Sequence, residues 1–142
     1  YEIDLKGKHV VVVGRRNIVG RPISILTSLK NQYSNATTTI CHSGSSDIFK
    51  YTKLADVVIL AIGSPEFLKS EHIKNGAVII DVGINRIEND NGKSKLVGDA
   101  DFNSLIDKVK AITPVPGGVG PMTIAMLVEN TVEAAEQTLQ SI

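Results

Sequence analysis

The chain has 142 residues, 42% of them apolar, and its 15 basic and 15 acidic side chains cancel to a formal charge of zero. That length supports one domain with a real core, and neutrality leaves no global field to attract nucleic acid or an anionic membrane. The single cysteine, Cys41, excludes an internal disulfide framework and a cysteine-rich metal site, and suits a reducing compartment such as the cytoplasm.

In chain order, residues 1–8 read as a linker into a strand, with no signal peptide and no run long enough to span a bilayer. The first residue is Tyr1 rather than methionine, which points to a processed or truncated product. Apolar, β-branched runs follow at residues 10–13, 57–62, 77–82 and 111–115, with a weaker, threonine-rich one at 36–41 that suits an edge. Such runs, apolar on both faces, are how parallel strands covered by helices read. Between the first and second runs, residues 18–30 carry Val19, Ile23, Leu26 and Leu29 near helical spacing. Ser64-Pro65-Glu66 predicts a serine-capped helix start, and Gly76 its stop. Residues 85–99 break the rhythm: Asn89-Asp90-Asn91-Gly92 is a turn cluster, and Lys95 to Asp99 returns as a second strand, giving a hairpin excursion. Residues 121–139 form the longest helical pattern, with Pro121 near its first position. The alternation predicts an α/β domain with a mostly parallel sheet and helices on both faces.

The chemistry concentrates in two glycine-rich segments. The first runs from Gly14 to Pro22, directly after a strand and before a helix, where unpaired N–H groups and the helix dipole favour an anion. It departs from G-x-G-x-x-G, because Arg16 holds the second glycine position and Gly20 comes one residue late. Read alone, it is either a dinucleotide loop or an ordinary βα turn. Arg15 and Arg16 suit phosphate, the alternative being a solvated surface pair. After the second strand stand Cys41-His42-Ser43-Gly44-Ser45-Ser46, with no carboxylate until Asp47. An acid there would serve NAD through the ribose hydroxyls; its absence argues for NADP. His9 and His72 have no clustered partners and read as non-catalytic.

The second segment, Thr113-Pro-Val-Pro-Gly-Gly-Val-Gly-Pro-Met-Thr123, has three prolines and three glycines defining one backbone path before a helix. It closely resembles the signature of the bifunctional methylenetetrahydrofolate dehydrogenase/methenyltetrahydrofolate cyclohydrolase family. Gly14-Arg15, Asn17-Ile18-Val19-Gly20 with Pro22, Asp81-Val82-Gly83-Ile84-Asn85 and Val97-Gly98-Asp99 resemble further landmarks of that family, in order, along nearly the whole chain. Where the family usually has serine, this chain has Arg16, whose guanidinium either replaces a hydroxyl at the pyrophosphate or swings into solvent.

The resemblance implies a Rossmann-like three-layer domain over residues 1–142 that binds NADP. It implies a complete enzyme of one-carbon metabolism that oxidises methylenetetrahydrofolate and hydrolyses the methenyl product to formyltetrahydrofolate. Gly14, Arg15 and Arg16 would meet the phosphates and Ser43 the ribose phosphate. Ile84 would flank the nicotinamide or its ribose, and Gly117, Gly118 and Thr123 would form a floor facing the interdomain cleft. The family's catalytic lysine and tyrosine lie in an amino-terminal domain not visible here, so no catalytic residue and no metal ligand is expected in this chain, and alone it should be inactive. The resemblance also implies a homodimer. Two other readings remain: the nucleotide domain of another NADP oxidoreductase, such as a shikimate dehydrogenase-like protein, and a free-standing, non-enzymatic nucleotide-binding module.

Overall fold

The computed structural model describes residues 2–88, 92 and 94–140. Five strands form a parallel sheet in the order β2-β1-β3-β4-β7. These are β1 (His9–Val13), β2 (Thr37–Cys41), β3 (Val57–Leu60), β4 (Val78–Asp81) and β7 (Ala111–Ile112). β-Branched side chains suit this pleated surface, and β1 is buried almost throughout because it lies at the second position of the sheet, flanked on both sides. Its register sets Val10 beside Val57 and Val13 beside both Cys41 and Leu60.

Alternate residues feed two cores. Val11, Val13, Val58, Leu60 and Ile79 pack on one face with Cys41, Leu68, Ile73 and Leu105. Val10, Val12, Val57, Ile59 and Val78 form the other, against Ile23, Leu5 and Ile3. Helix α1 (Gly20–Ser28) belongs to the second face. The first face is covered by α2 (Ile48–Thr52), α3 (Phe102–Leu105) and the segments beside them. The antiparallel pair β5 (Asn85–Glu88) and β6 (Ser94–Val97) forms the hairpin excursion, with Asn85 opposite Val97. Of the expected turn cluster, Asn89, Asp90 and Asn91 lie outside the described residues.

Three expectations need correction. The helix expected after Ser64 is absent; the only helical turn between β3 and β4 is a 3-10 turn at Ser70–His72. The backbone there is claimed by another partner: Glu66 and Leu68 donate to the carbonyls of Gly98 and Asp99, and the Ser64 N–H goes to the Asp99 carboxylate. Gly76, at φ +74°, therefore turns the chain into β4 rather than capping a helix. In α1 the buried positions are Gly20, Ser24 and Thr27, while Leu26 and Leu29 are exposed. Val19, Ile23 and Leu26 of the predicted stripe instead rim an apolar groove of about 640 Å³ on the second sheet face, shared with Ile59, Ile80, Val119 and Thr123. Third, the run at 111–115 pairs for only two residues before the proline-rich loop takes over. Helix α4 (Val119–Gln140) buries none of its residues and leaves that sheet face partly open.

Candidate functional site

All five parallel strands point their carboxyl ends to one edge of the sheet, and the loops there carry the residues singled out in the sequence. The chain runs from β1 outward to β2, then returns to place β3 on the other side of β1. Ligands of open α/β sheets bind outside the carboxyl edge at such a switch point.

Gly14 sits at that point, with φ +121° and its N–H donating to the Cys41 carbonyl at 2.8 Å. A Cβ on Gly14 would collide with the Ala61 carbonyl, and a Cβ on Gly20 would collide with the Gly14 carbonyl. The two glycines thus allow strand end, loop and helix start to pack backbone on backbone. This is the task that a glycine fingerprint performs, reached with a different spacing.

Arg15 and Arg16 follow, both exposed. The Arg16 carbonyl accepts the Arg21 N–H at 3.1 Å, which closes the loop into α1. The Arg15 Nη1 lies 3.4 Å from His42 Nε2. Because the Gly44 N–H donates to His42 Nδ1 at 3.0 Å, the neutral ring carries its proton on Nε2. Arg15 and His42 therefore both offer donors to one spot above the end of β2, where an anion is the natural third party. Ser43 is exposed beside them. The first acid after β2, Asp47, accepts the Lys50 N–H and so caps α2, leaving the spot free of a committed carboxylate.

The other half of the edge is a cleft of about 370 Å³ between residues 81–84 and 114–123. Gly117 and Gly118 line it together with Thr123 and with Ile84, which is 67% exposed. Gly117 has φ +99°, and a Cβ on Gly118 would strike the Pro114 carbonyl, so the loop path demands both glycines. Thr123 Oγ1 donates to the Val119 carbonyl, 3.2 Å away. The structure places Gly14, Arg15, Arg16 and Ser43 around the ends of β1 and β2, and Ile84, Gly117, Gly118 and Thr123 around the ends of β4 and β7.

Sequence reasoning missed the loop at residues 61–64 after β3, because the apolar run was read as strand through Ile62. It also gave no role to Asp81 and Asp99, both buried. Asp81 accepts the N–H groups of Gly83, Asp99 and Ala100. Burial pushes its carboxyl above the usual range, and those N–H groups pull it partly back. The signal was present in the glycines that precede or follow each acid. Among the described residues, no group of three or more histidines, cysteines and carboxylates is placed to hold a metal ion.

Residues 1–139 match the family described as tetrahydrofolate dehydrogenase/cyclohydrolase, NAD(P)-binding domain. The chain belongs to that family. It is 57% identical over 141 residues to the bifunctional protein FolD of Chloroherpeton thalassium, covering 98% of this chain and 48% of that protein. The FolD of Bacillus licheniformis is 56% identical over 139 residues, covering 98% of this chain and 46% of that one. Among solved structures, the bifunctional FolD of Campylobacter jejuni superposes with a TM-score of 0.88 at 48% identity, over 97% of this chain and 46% of its own. The Trypanosoma brucei methylenetetrahydrofolate dehydrogenase-cyclohydrolase, solved with NADP cofactor and inhibitor, gives a TM-score of 0.85 at 37% identity, over 96% and 46%. The chain thus spans about half the length of the curated relatives it matches. The fold is that of a family NAD(P)-binding domain. No described helix is long and apolar enough to cross a membrane.

Proposed function

We propose that this chain is the dinucleotide-holding part of an NADP-dependent methylenetetrahydrofolate dehydrogenase and methenyltetrahydrofolate cyclohydrolase, and that it prefers NADP to NAD. The observation that carries the reading is the pair of donors from Arg15 and His42 beside Ser43, with no free carboxylate, next to the Gly14–Gly20 backbone contact.

In this reading Gly14, Arg15 and Arg16 hold the phosphates, and Ser43 lies against the ribose phosphate. Ile84 flanks the nicotinamide or its ribose. Gly117, Gly118 and Thr123 form the floor beneath the reacting face. Bound there, NADP would take a hydride from the folate methylene carbon, after which water would convert the methenyl product to the formyl compound. The task of this domain is to hold one reactant at a fixed height and angle, which removes much of the entropic cost of the encounter.

An amino-terminal domain in the same polypeptide brings the folate and the proton-handling groups, so no residue of this chain is assigned a catalytic role. The uncovered apolar groove and the unburied α4, with Met126, Leu127 and Val132 exposed, support a further packing partner of that kind. The complete protein is a cytoplasmic homodimer in this reading, with the hairpin arm at its contact.

The test is calorimetric titration of the chain with each dinucleotide. NADP is expected to bind more tightly; equal or reversed affinities would remove the argument. A dehydrogenase and cyclohydrolase assay on the chain alone should give background rates. Turnover of either kind would overturn the division of labour between domains.

A further inference from the structure

Asp99 is fully buried, and no ion pair among the described residues accounts for it. Its Oδ2 accepts the backbone N–H groups of Ile62 at 2.8 Å and Gly63 at 3.0 Å. Its Oδ1 accepts the Ser64 N–H and the Asn85 side-chain amide, each at 2.9 Å. Three consecutive backbone N–H groups converge on one carboxylate, as they would on a bound anion. The loop they belong to is tied at its other end to β1, where the Ala61 N–H donates to the Val13 carbonyl at 2.9 Å. The Ala61 carbonyl is also the group that leaves no room for a side chain on Gly14. Asn85 directly follows Ile84, on the wall of the second cleft. A Cβ on Gly83 would collide with the Asp99 carboxylate, so the turn after β4 is built around it as well.

We infer that Asp99 is a positioning residue for the dinucleotide: through the amides of residues 62–64 and of Asn85 it sets both the loop beside Gly14 and the turn that presents Ile84. The inference rests on the NAD(P)-binding reading of this carboxyl edge. It makes the Val97-Gly98-Asp99 segment, far from the glycine loop in sequence, part of the apparatus that shapes the cradle. An amide at position 99 would keep the shape but turn an NH2 group against some of these N–H donors, leaving them unsatisfied.

The experiment uses the full 142-residue chain, with NADP as the probe, read by calorimetry and by thermal melts with and without saturating NADP. Asp99→Asn should lower NADP affinity by about tenfold or more and shrink the rise in Tm that NADP produces. Asn85→Ala removes one donor and leaves the three backbone amides; it should lower affinity by about threefold. A merely structural role predicts a different pattern: Tm falls equally with and without NADP, and affinity stays within twofold of wild type. That result overturns the inference. If Asp99→Asn does not fold, Asn85→Ala decides, since unchanged affinity there overturns the inference and weakened affinity supports it. Failure of the wild-type chain to bind NADP overturns the NAD(P)-binding reading itself, and the inference with it. Wild-type binding with unaffected variants removes the inference alone.

Discussion

Gly14 shows how much one missing side chain decides. Its φ of +121° disfavours any L side chain, and a Cβ would meet the Ala61 carbonyl. Gly14→Ala should destabilise the fold by about 2 kcal/mol or more, read as a lower urea midpoint, and should weaken NADP binding. Charge decides the neighbouring spot. Arg15→Ala should weaken NADP by about tenfold or more and NAD by less, because NADP also loses a charged donor beside its extra phosphate. Ser43→Asp should cost NADP roughly 1–3 kcal/mol by placing like charge against that phosphate. Parallel titrations of wild type and both variants check these values, and equal losses for the two dinucleotides would contradict them. Asp56 behaves differently, being paired with Lys74 at 2.6 Å and accepting the His9 N–H. The Lys74 hydrogen bond, then the His9 N–H, hold its carboxyl below the usual range. A depressed carboxylate contributes stability that is present above its unfolded value and lost as pH falls through the lower folded one. Asp56→Asn should therefore cost less than about 1 kcal/mol near neutrality, since the pair is partly exposed, and the difference should shrink as pH falls below the ordinary carboxylate value of about 3.9. Urea midpoints at pH 7 and pH 3 measure this.

At the scale of elements, strands and helices carry unequal shares of the stability. β1 and β3 are buried, and Leu60 has no exposed surface at all. Leu60→Ala should cost about 2–5 kcal/mol, because the surrounding parallel strands cannot collapse into the space it leaves. Helix α4 is the opposite case. None of its residues is buried in this chain. Leu127→Ser should shift the unfolding free energy of the chain by no more than about 0.5 kcal/mol. A large loss would mean that α4 is held by contacts within the domain. The segment after Ser64 explains why local signals can mislead. Serine, proline and glutamate are good helix-start chemistry, but the N–H groups of Ser64, Glu66 and Leu68 find acceptors in residues 98 and 99 instead. The tertiary partner wins because the buried Gly98 and Asp99 offer acceptors to the same donors.

For the whole molecule, the hairpin of β5 and β6 stands apart from the parallel sheet as a two-stranded unit of its own. A two-stranded ribbon leaves backbone groups unpaired on both outer edges, and a two-fold symmetric contact is the commonest way to cover them. Light scattering should report a dimer for the complete protein. A version shortened between Glu88 and Ser94 should weaken that dimer. A monomer, or a dimer indifferent to the arm, would contradict the assembly proposed above.

The sequence by itself determined the parallel α/β class, the hairpin, the two glycine loops and the family. Each of these is written in short-range pattern: β-branched runs and the spacing of glycine and proline. What only the tertiary structure decided involves residues distant along the chain. Gly20 packs on Gly14, the Arg15 guanidinium meets His42, and Asp99 gathers the amides of residues 62–64 with that of Asn85. The face that α1 buries belongs to the same group, since Ser24 and Thr27 pack inward while Leu26 faces the open groove. The physical reason is common to all of them. Periodicity reports what a segment can form, whereas a buried donor or carboxylate is satisfied by whichever partner the completed sheet brings within reach.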